Sequence, residues 1–250
     1  MRVLVTAAAA LGAVLLIVPL LGLVAESPWS ELPELWADGV APRALGLSIL
    51  VSVAAVTLSL GIGAPLAWLL ARNRFRGRGL LRSLVTLPMV LPPVVAGVAL
   101  LAALGPTGPL GRALAGLGVE LPFTTAAAVL AASFVSAPLL ITALEGGLNQ
   151  LDRRYEQVAA ALGASRAQTL LRVVLPLLRP ALLGGRARCW ARALGEFGAT
   201  IAFAGNLRGV TQTAPLAIYE LLQTRPDQAF LLGALLLAGA FGIFVAARPR

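Results

Sequence analysis

Apolar residues run in long blocks along this chain, and short polar stretches between them carry most of the charge. The blocks cover residues 4–24, Leu45–Ala71, Ser83–Leu104, Thr124–Leu144, Ala181–Ala204 and Gln228–Ala247. Each is close to the roughly 20 residues that a helix needs to cross a bilayer. The pattern predicts an all-α integral membrane protein with six spans. The first block is long for a signal-peptide core and lacks a small-x-small cleavage site before Glu26, which predicts an uncleaved first span. Residues 26–44 are acidic (Glu26, Glu31, Glu34, Asp38), and Trp29 and Trp36 suit the headgroup level, so this stretch reads as an outside loop. Residues 1–44 thus form a first span with its loop, ahead of a main transmembrane domain over 45–247. The third block holds Pro88, Pro92 and Pro93, whose freed carbonyls need partners, so a kinked, protein-facing helix is expected there. Gly105-Pro106-Thr107-Gly108-Pro109 marks an outside turn, and Gly205–Asp227 an outside loop.

The longest polar island, Asp152–Pro180, has its own local order within a connector over 145–180. Asp152 is a good N-cap, and Tyr155, Val158, Ala159 and Leu162 then follow at helical spacing. Gly163 stops that helix, because glycine enters the left-handed region without a Cβ penalty. Ser165 with Gln168 three residues later has the capping-box pattern. Leu170, Leu171, Val173, Val174, Leu177 and Leu178 carry the next helix back toward the bilayer, with Pro176 and Pro180 expected to bend it. The island reads as helix, glycine hinge, helix, either lying on the headgroups or standing as a knob at the surface.

Charge sets the orientation. All 20 basic residues of the 250 are arginine, and the net charge is +9. The run Arg72, Arg74, Arg76, Arg78 and Arg82 lies between apolar blocks, which points to membrane orientation rather than to nucleic acid. Thirteen arginines fall on one side under this assignment and four (Arg43, Arg112, Arg208, Arg225) on the other. The positive-inside rule then places both termini and the connector in the cytoplasm.

Composition also excludes chemistry. With 58% hydrophobic and 12% charged residues this is not a soluble domain. Without lysine there is no Walker A phosphate loop, and without histidine no imidazole catalysis or His metal site. The lone Cys189 allows no intrachain disulfide or cysteine-cluster zinc site. No cofactor, no metal and no catalytic residue is expected.

The fifth block is the exception to apolarity, holding Arg186, Arg188, Arg192 and Glu196. Ionisable groups at mid-span cost roughly 2.5–3.5 kcal/mol each on insertion scales, so they need partners, water or a snorkelling path. Arg188, Arg192 and Glu196 sit at successive i+4 steps on one face, over about 12 Å. Arg186 points elsewhere, near the cytoplasmic end, where its stem can snorkel. Arg192 and Glu196 read either as a structural ion pair or as lining for a path.

Several of these motifs resemble one family. Gly163, nine residues, Val173, one residue and Leu175-Pro176 resemble the signature loop of type I ABC importer permease subunits, Glu-Ala-Ala-x3-Gly-x9-Ile-x-Leu-Pro. Gln157-Val158-Ala159 stands at the Glu-Ala-Ala position, and Glu156 is one residue early. The stretches Leu87–Gly97, Gly108–Gly111, Ala191–Thr200, Phe203–Asn206 and Thr211–Tyr219 are similar to the molybdate permease branch of that family, whereas Arg186 and Arg188 depart from it.

The resemblance implies a type I importer permease fold with six spans. It implies import of molybdate, and of tungstate, driven by ATP hydrolysis on a separate subunit. The implied partners are two copies of a cytoplasmic ABC ATPase, an extracytoplasmic molybdate-binding protein and a second copy of the chain. The location is the bacterial cell membrane. Gln157, Ala159, Gly163, Val173, Leu175 and Pro176 become the ATPase-coupling loop, and Arg192, Glu196, Pro92 and Pro93 the candidate path. A sulfate/thiosulfate permease of the same superfamily is the nearest alternative. An intramembrane enzyme using Arg192, Glu196 and Asp227 lacks a nucleophile–base pair, and a non-transporting scaffold is the remaining reading. The chain ends soon after its sixth block, so no C-terminal regulatory domain is expected.

Overall fold

The computed structural model describes residues 1–246, and every regular element among them is helical. The expected end of the sixth span at Ala247, and the arginines Arg248 and Arg250, lie outside the described residues. In chain order come α1 (Arg2–Ala25), α2 (Leu32–Ala37), α3 (Val40–Arg72), α4 (Arg78–Thr86), α5 (Pro93–Leu104), α6 (Pro109–Ala115) and α7 (Thr125–Gln150). Then follow α8 (Arg154–Ala161), α9 (Arg166–Thr169), α10 (Leu175–Leu194), α11 (Gly198–Phe203), α12 (Ala214–Thr224) and α13 (Pro226–Ala246). A π-helical turn, Leu170–Val174, joins α9 to α10.

Among the described residues five helical stretches are long and apolar enough to cross a membrane: Leu4–Ala25, Val40–Arg72, Thr125–Gln150, Arg166–Leu194 and Pro226–Ile243. A sixth exists only if Arg78–Met89 and Pro93–Leu104, bent by 116° at their junction, count as one span. The third block is therefore two helices rather than one kinked helix. Pro92 and Pro93 lack the N–H groups that would continue the ladder, and Pro93 instead starts α5 at a position where that donor is not needed.

Other expected boundaries also shift. The second helix starts at Val40, so the division at 44/45 falls inside α3. The fifth block is not one helix over Ala181–Ala204: α10 begins at Leu175 and stops at Leu194, and α11 follows a short break. The loop Gly205–Asp227 contains α12, whose buried Ala214, Ala217 and Leu221 pack against the start of α3 and α13.

The core is the α3–α7 pair, built from small side chains. Ser52, Ala55, Ser59, Gly63 and Ala67 of α3 are buried, as are Ala128, Ala131, Ala132 and Ser136 of α7. Small residues let helix backbones approach closely where lipid supplies no hydrophobic drive between helices. A Cβ at Gly63 would lie 2.9 Å from Ile141 Cγ1, and Ser133 Oγ donates to the Ala55 carbonyl at 3.5 Å. Helix α10 packs against both α7 and α3, and a Cβ at Gly185 would lie 2.9 Å from Ala143 Cβ of α7. Helix α1 differs: none of its most apolar window is buried, and it touches the bundle near Gly233 of α13, through Leu23.

Candidate functional site

Three clusters of polar groups stand out against this apolar frame, one at each end of the bundle and one at its interior breaks. At the arginine-rich end, Asp152 Oδ1 accepts the Arg154 N–H at 2.9 Å, but the N-cap position of α8 is Arg153, one residue later than expected. Gly163 closes α8 with φ +82°, and nothing lies within 4 Å of where its Cβ would be. Ser165 and Gln168 form the reciprocal capping box, with bonds of 3.3 and 2.8 Å. The helix–glycine–helix reading of the island is therefore correct in its order, its glycine turn and its second cap, with the first N-cap shifted by one residue.

The apolar stripe on α8 does not cover the bundle, however. Ala159 is buried, but Tyr155, Val158 and Leu162 point outward, Leu162 with 83% of its surface exposed. Gln157 is exposed beside them. Val173 sits half-buried in the π-helical turn, and Leu175 and Pro176 are exposed at the start of α10.

Arg72 fastens this knob to the end of α3. Its side chain is 8% exposed, and its guanidinium lies 2.6 Å from Glu156 Oε1, donates to the Leu151 carbonyl at 3.3 Å and sits 5.9 Å from the Trp68 ring centre. Arg153 donates back to the Arg72 carbonyl at 2.9 Å. Nearby, Arg82 of α4 pairs with the buried carboxylate of Glu145 on α7, its Nε donating at 3.0 Å. Two of the five arginines expected simply to mark the membrane face thus make specific pairs. Glu145 was missed by sequence reasoning because it stands one residue past the apolar block that ends at Leu144, whereas α7 runs on to Gln150 and buries it.

The interior cluster lies where the two broken spans meet. Helix α10 ends at Leu194, and Glu196, 1% exposed, turns its carboxylate back onto the break. Its Oε1 accepts the Ala199 N–H at 2.7 Å, which caps the first turn of α11. Its Oε2 lies 2.6 Å from Arg192 NH1. That approach is off the N–H axis, for Arg192 makes no hydrogen bond and Glu196 Oε2 accepts none among the described residues. The pair joins the last turn of α10 to the break beyond it and is held by charge, with Arg192 one-third exposed.

Opposite the break stands the start of α5. A Cβ at Gly198 would lie 2.8 Å from Pro93 Cβ, so only glycine fits there. A Cβ at Gly97 would lie 2.6 Å from both the Ala199 carbonyl oxygen and Ala202 Cβ. Of the four path candidates, Pro93 therefore meets the Glu196 break directly, while Pro92 is exposed at the bend beside it. Asp227 is exposed in the first turn of α13, and no hydrogen bond or ion pair joins it to Arg192 or Glu196.

At the opposite end Glu220 of α12 gathers the loop before it. Its carboxylate accepts from Gln212 Nε2 at 2.6 Å and from Asn206 Nδ2 at 3.1 Å, and pairs with Arg208. The Arg208 guanidinium holds the Glu220 carboxyl below its ordinary pKa, against the opposing effect of burial, with Asn206 and Gln212 adding to the lowering. Arg225 joins Asp38 at 2.7 Å and ties the loop after α1 to the start of α13. Glu220 carried no motif signal, since its partners Asn206, Arg208 and Gln212 come from the irregular stretch ahead of α12. Among the described residues no three His, Cys, Asp or Glu side chains converge as a metal site requires.

Residues 63–247 match the family described as binding-protein-dependent transport system inner membrane component. The chain is 45% identical over 232 residues to the molybdenum transport system permease protein ModB of Mycobacterium tuberculosis, covering 92% of this chain and 87% of that protein. It is 44% identical over 183 residues to ModB of Escherichia coli, covering 73% and 80%. The sulfate transport system permease protein CysT of Escherichia coli is 36% identical over 212 residues, covering 84% and 76%. In fold, the chain superposes on a subunit of a bacterial ABC transporter for alginate import with a TM-score of 0.78 at 18% identity, covering 98% of this chain and 94% of that one.

Proposed function

The chain belongs to the family of binding-protein-dependent transport system inner membrane components, and on that premise we propose that it is the membrane-spanning permease subunit of a molybdate importer. The observation that carries this reading is 45% identity to a molybdenum permease along nearly its whole length. The identity to a sulfate permease is lower, at 36%. Tungstate, a tetrahedral dianion like molybdate, is proposed as a second substrate.

In this reading the α4–α5 pair counts as one bent span, which makes six, and the arginine-rich end is cytoplasmic with both termini. The permease works as a homodimer with two cytoplasmic ATPase subunits and an extracytoplasmic oxyanion-binding protein. The exposed Tyr155, Val158 and Leu162, with Gln157, form the face of α8 offered to the ATPase. Ala159, Gly163, Val173, Leu175 and Pro176 shape the turn and exit helix behind it. Arg72 then passes motion of α8 to α3, because Glu156, Leu151 and Arg153 all converge on it. Rigid-body rocking of the helices switches access across the bilayer. Arg192 and Glu196, at the break opposite Pro93, line the anion path; the carboxylate steadies the guanidinium and tempers its charge so that a passing dianion is not trapped.

The test is radiolabelled oxyanion uptake into vesicles that hold the assembled complex, with yield measured beside it for Arg192→Gln, Glu196→Gln and the double variant. Molybdate should accumulate in an ATP-dependent way, and Arg192→Gln should lower uptake more than yield. Accumulation of sulfate with exclusion of molybdate overturns the substrate. Full uptake by the double variant leaves the pair as a structural clasp.

A further inference from the structure

Resting on the permease reading above, we propose that Arg188 is a second fixed cation of the anion path, one turn of α10 to the cytoplasmic side of Arg192. Helix α10 buries Gly185, Cys189 and Ala193 against α7, and Cys189 Sγ lies 3.4 Å from Ser136 Oγ. Gly184, Arg188, Ala191 and Gly195 fall on the other side, at the i, i+4, i+7 and i+11 spacing of one helical face. Arg188, Ala191 and Gly195 are exposed there, with Gly184 half-buried and Arg192 at the edge. The span that contains them is the least apolar of the five. An unpaired guanidinium facing acyl chains is among the costliest placements in a bilayer, so this face opens onto water and a second copy rather than lipid.

The geometry of the two arginines fits a moving anion. Arg188 has no carboxylate partner among the described residues, and its Nε donates to the Gly184 carbonyl at 3.1 Å. That bond lays the stem along the helix and leaves both terminal amino groups free. Arg192 likewise makes no hydrogen bond among the described residues, since Glu196 meets it off axis. The two guanidinium carriers are about 6 Å apart along the axis, close enough for an oxyanion to pass from one to the next. Gly184, Ala191 and Gly195 leave the space between two copies open.

Charge matches as well. Arg188, Arg192 and Glu196 sum to one positive charge per copy, and two copies facing each other would carry two, opposite a dianion. Arg186 serves as contrast. It lies off this face, in a cleft with Val53, Thr57, Trp190 and Ile243.

The experiment uses the assembled permease, ATPase and binding protein in vesicles, reading molybdate uptake per ATP hydrolysed and detergent-stable complex yield. Arg188→Gln should lose most of its uptake per ATP while keeping wild-type yield, Arg188→Lys should recover it, and Arg186→Gln should match wild type. Wild-type uptake per ATP in Arg188→Gln overturns the proposal while leaving the permease reading intact. So does failure of Arg188→Gln to assemble, or an Arg188→Lys complex that assembles but transports no better than Arg188→Gln. A wild-type complex that accumulates no dianion removes the permease reading and this inference together.

Discussion

Adding one methyl group at Gly97 tests whether the two broken spans are packed as tightly as the structure has them. The new Cβ would stand 2.6 Å from the Ala199 carbonyl oxygen, 2.6 Å from Ala202 Cβ and 2.9 Å from Ala199 Cα. All three are backbone or alanine atoms, so no side chain can swing aside. Carbon contacts are at ease near 3.5–4.0 Å, so α5 and α11 must part by about 1 Å. Overpacking of this kind costs about 1–3 kcal/mol. The strain has nowhere soft to go, because α11 is pinned by Glu196 at Ala199 and by Gly198 against Pro93.

Two other glycines calibrate the effect. At Gly63 the new Cβ meets only the Ile141 side chain, at 2.9 Å, and at Gly61 it meets nothing within 4 Å. Thermal melts of detergent-solubilised Gly61→Ala, Gly63→Ala and Gly97→Ala should therefore rank in that order, with Gly97→Ala lower by several degrees. Molybdate uptake should fall in Gly97→Ala and hold in Gly61→Ala. A Gly97→Ala protein as stable and active as Gly61→Ala refutes the close crossing.

Three further outcomes are expected. In a Cys189→Ser background, an impermeant thiol reagent applied to intact cells should label a cysteine placed at Ser30 and spare one placed at Ser165; labelling of both refutes the orientation. Gly163→Val has open space but forces a β-branched residue to φ +82°, at a cost of about 1–2 kcal/mol, so the protein should still insert while transport-linked ATP turnover falls, and unchanged turnover refutes a coupling role for α8. Because Arg208 lowers the Glu220 pKa, the Glu220 network stabilises in full above the ordinary carboxylate value of 4.5 and is lost as pH falls through the lowered one. Glu220→Gln should flatten that acid-side loss in a melting series, and an unchanged slope refutes it.

What the sequence made legible follows from how local each signal is. The cap at Ser165 and the left-handed Gly163 depend on a few consecutive residues, and both stand as expected, while Asp152 holds the Arg154 N–H from one residue before the N-cap. The apolar blocks locate the helices, but block length alone does not reveal where a helix breaks. The 116° bend at Pro92-Pro93 and the stop at Leu194 fit together through a contact across the bundle, Gly198 against Pro93, and Glu196 turns back locally onto Ala199. The i+4 spacing of Arg192 and Glu196 announced their pairing, whereas Arg82–Glu145 and Arg72–Glu156 join residues 63 and 84 positions apart and left no periodic trace. The stripe on α8 has the helical period expected, yet period does not tell a face turned to the core from one turned to a partner.

The π-helical turn at Leu170–Val174 acts as a phase setter for the fifth span. One extra residue in a ladder of 3.6 residues per turn rotates everything beyond it by about 100°. Pro176, two residues past the turn, has no N–H to reclaim the lost register. The azimuth at which α10 presents its arginines is thus decided ahead of that helix, by a count of residues beside the α8 knob. Removing one residue from the turn would leave the length of the span nearly unchanged, yet would swing Arg188 about a quarter-turn away from its present bearing.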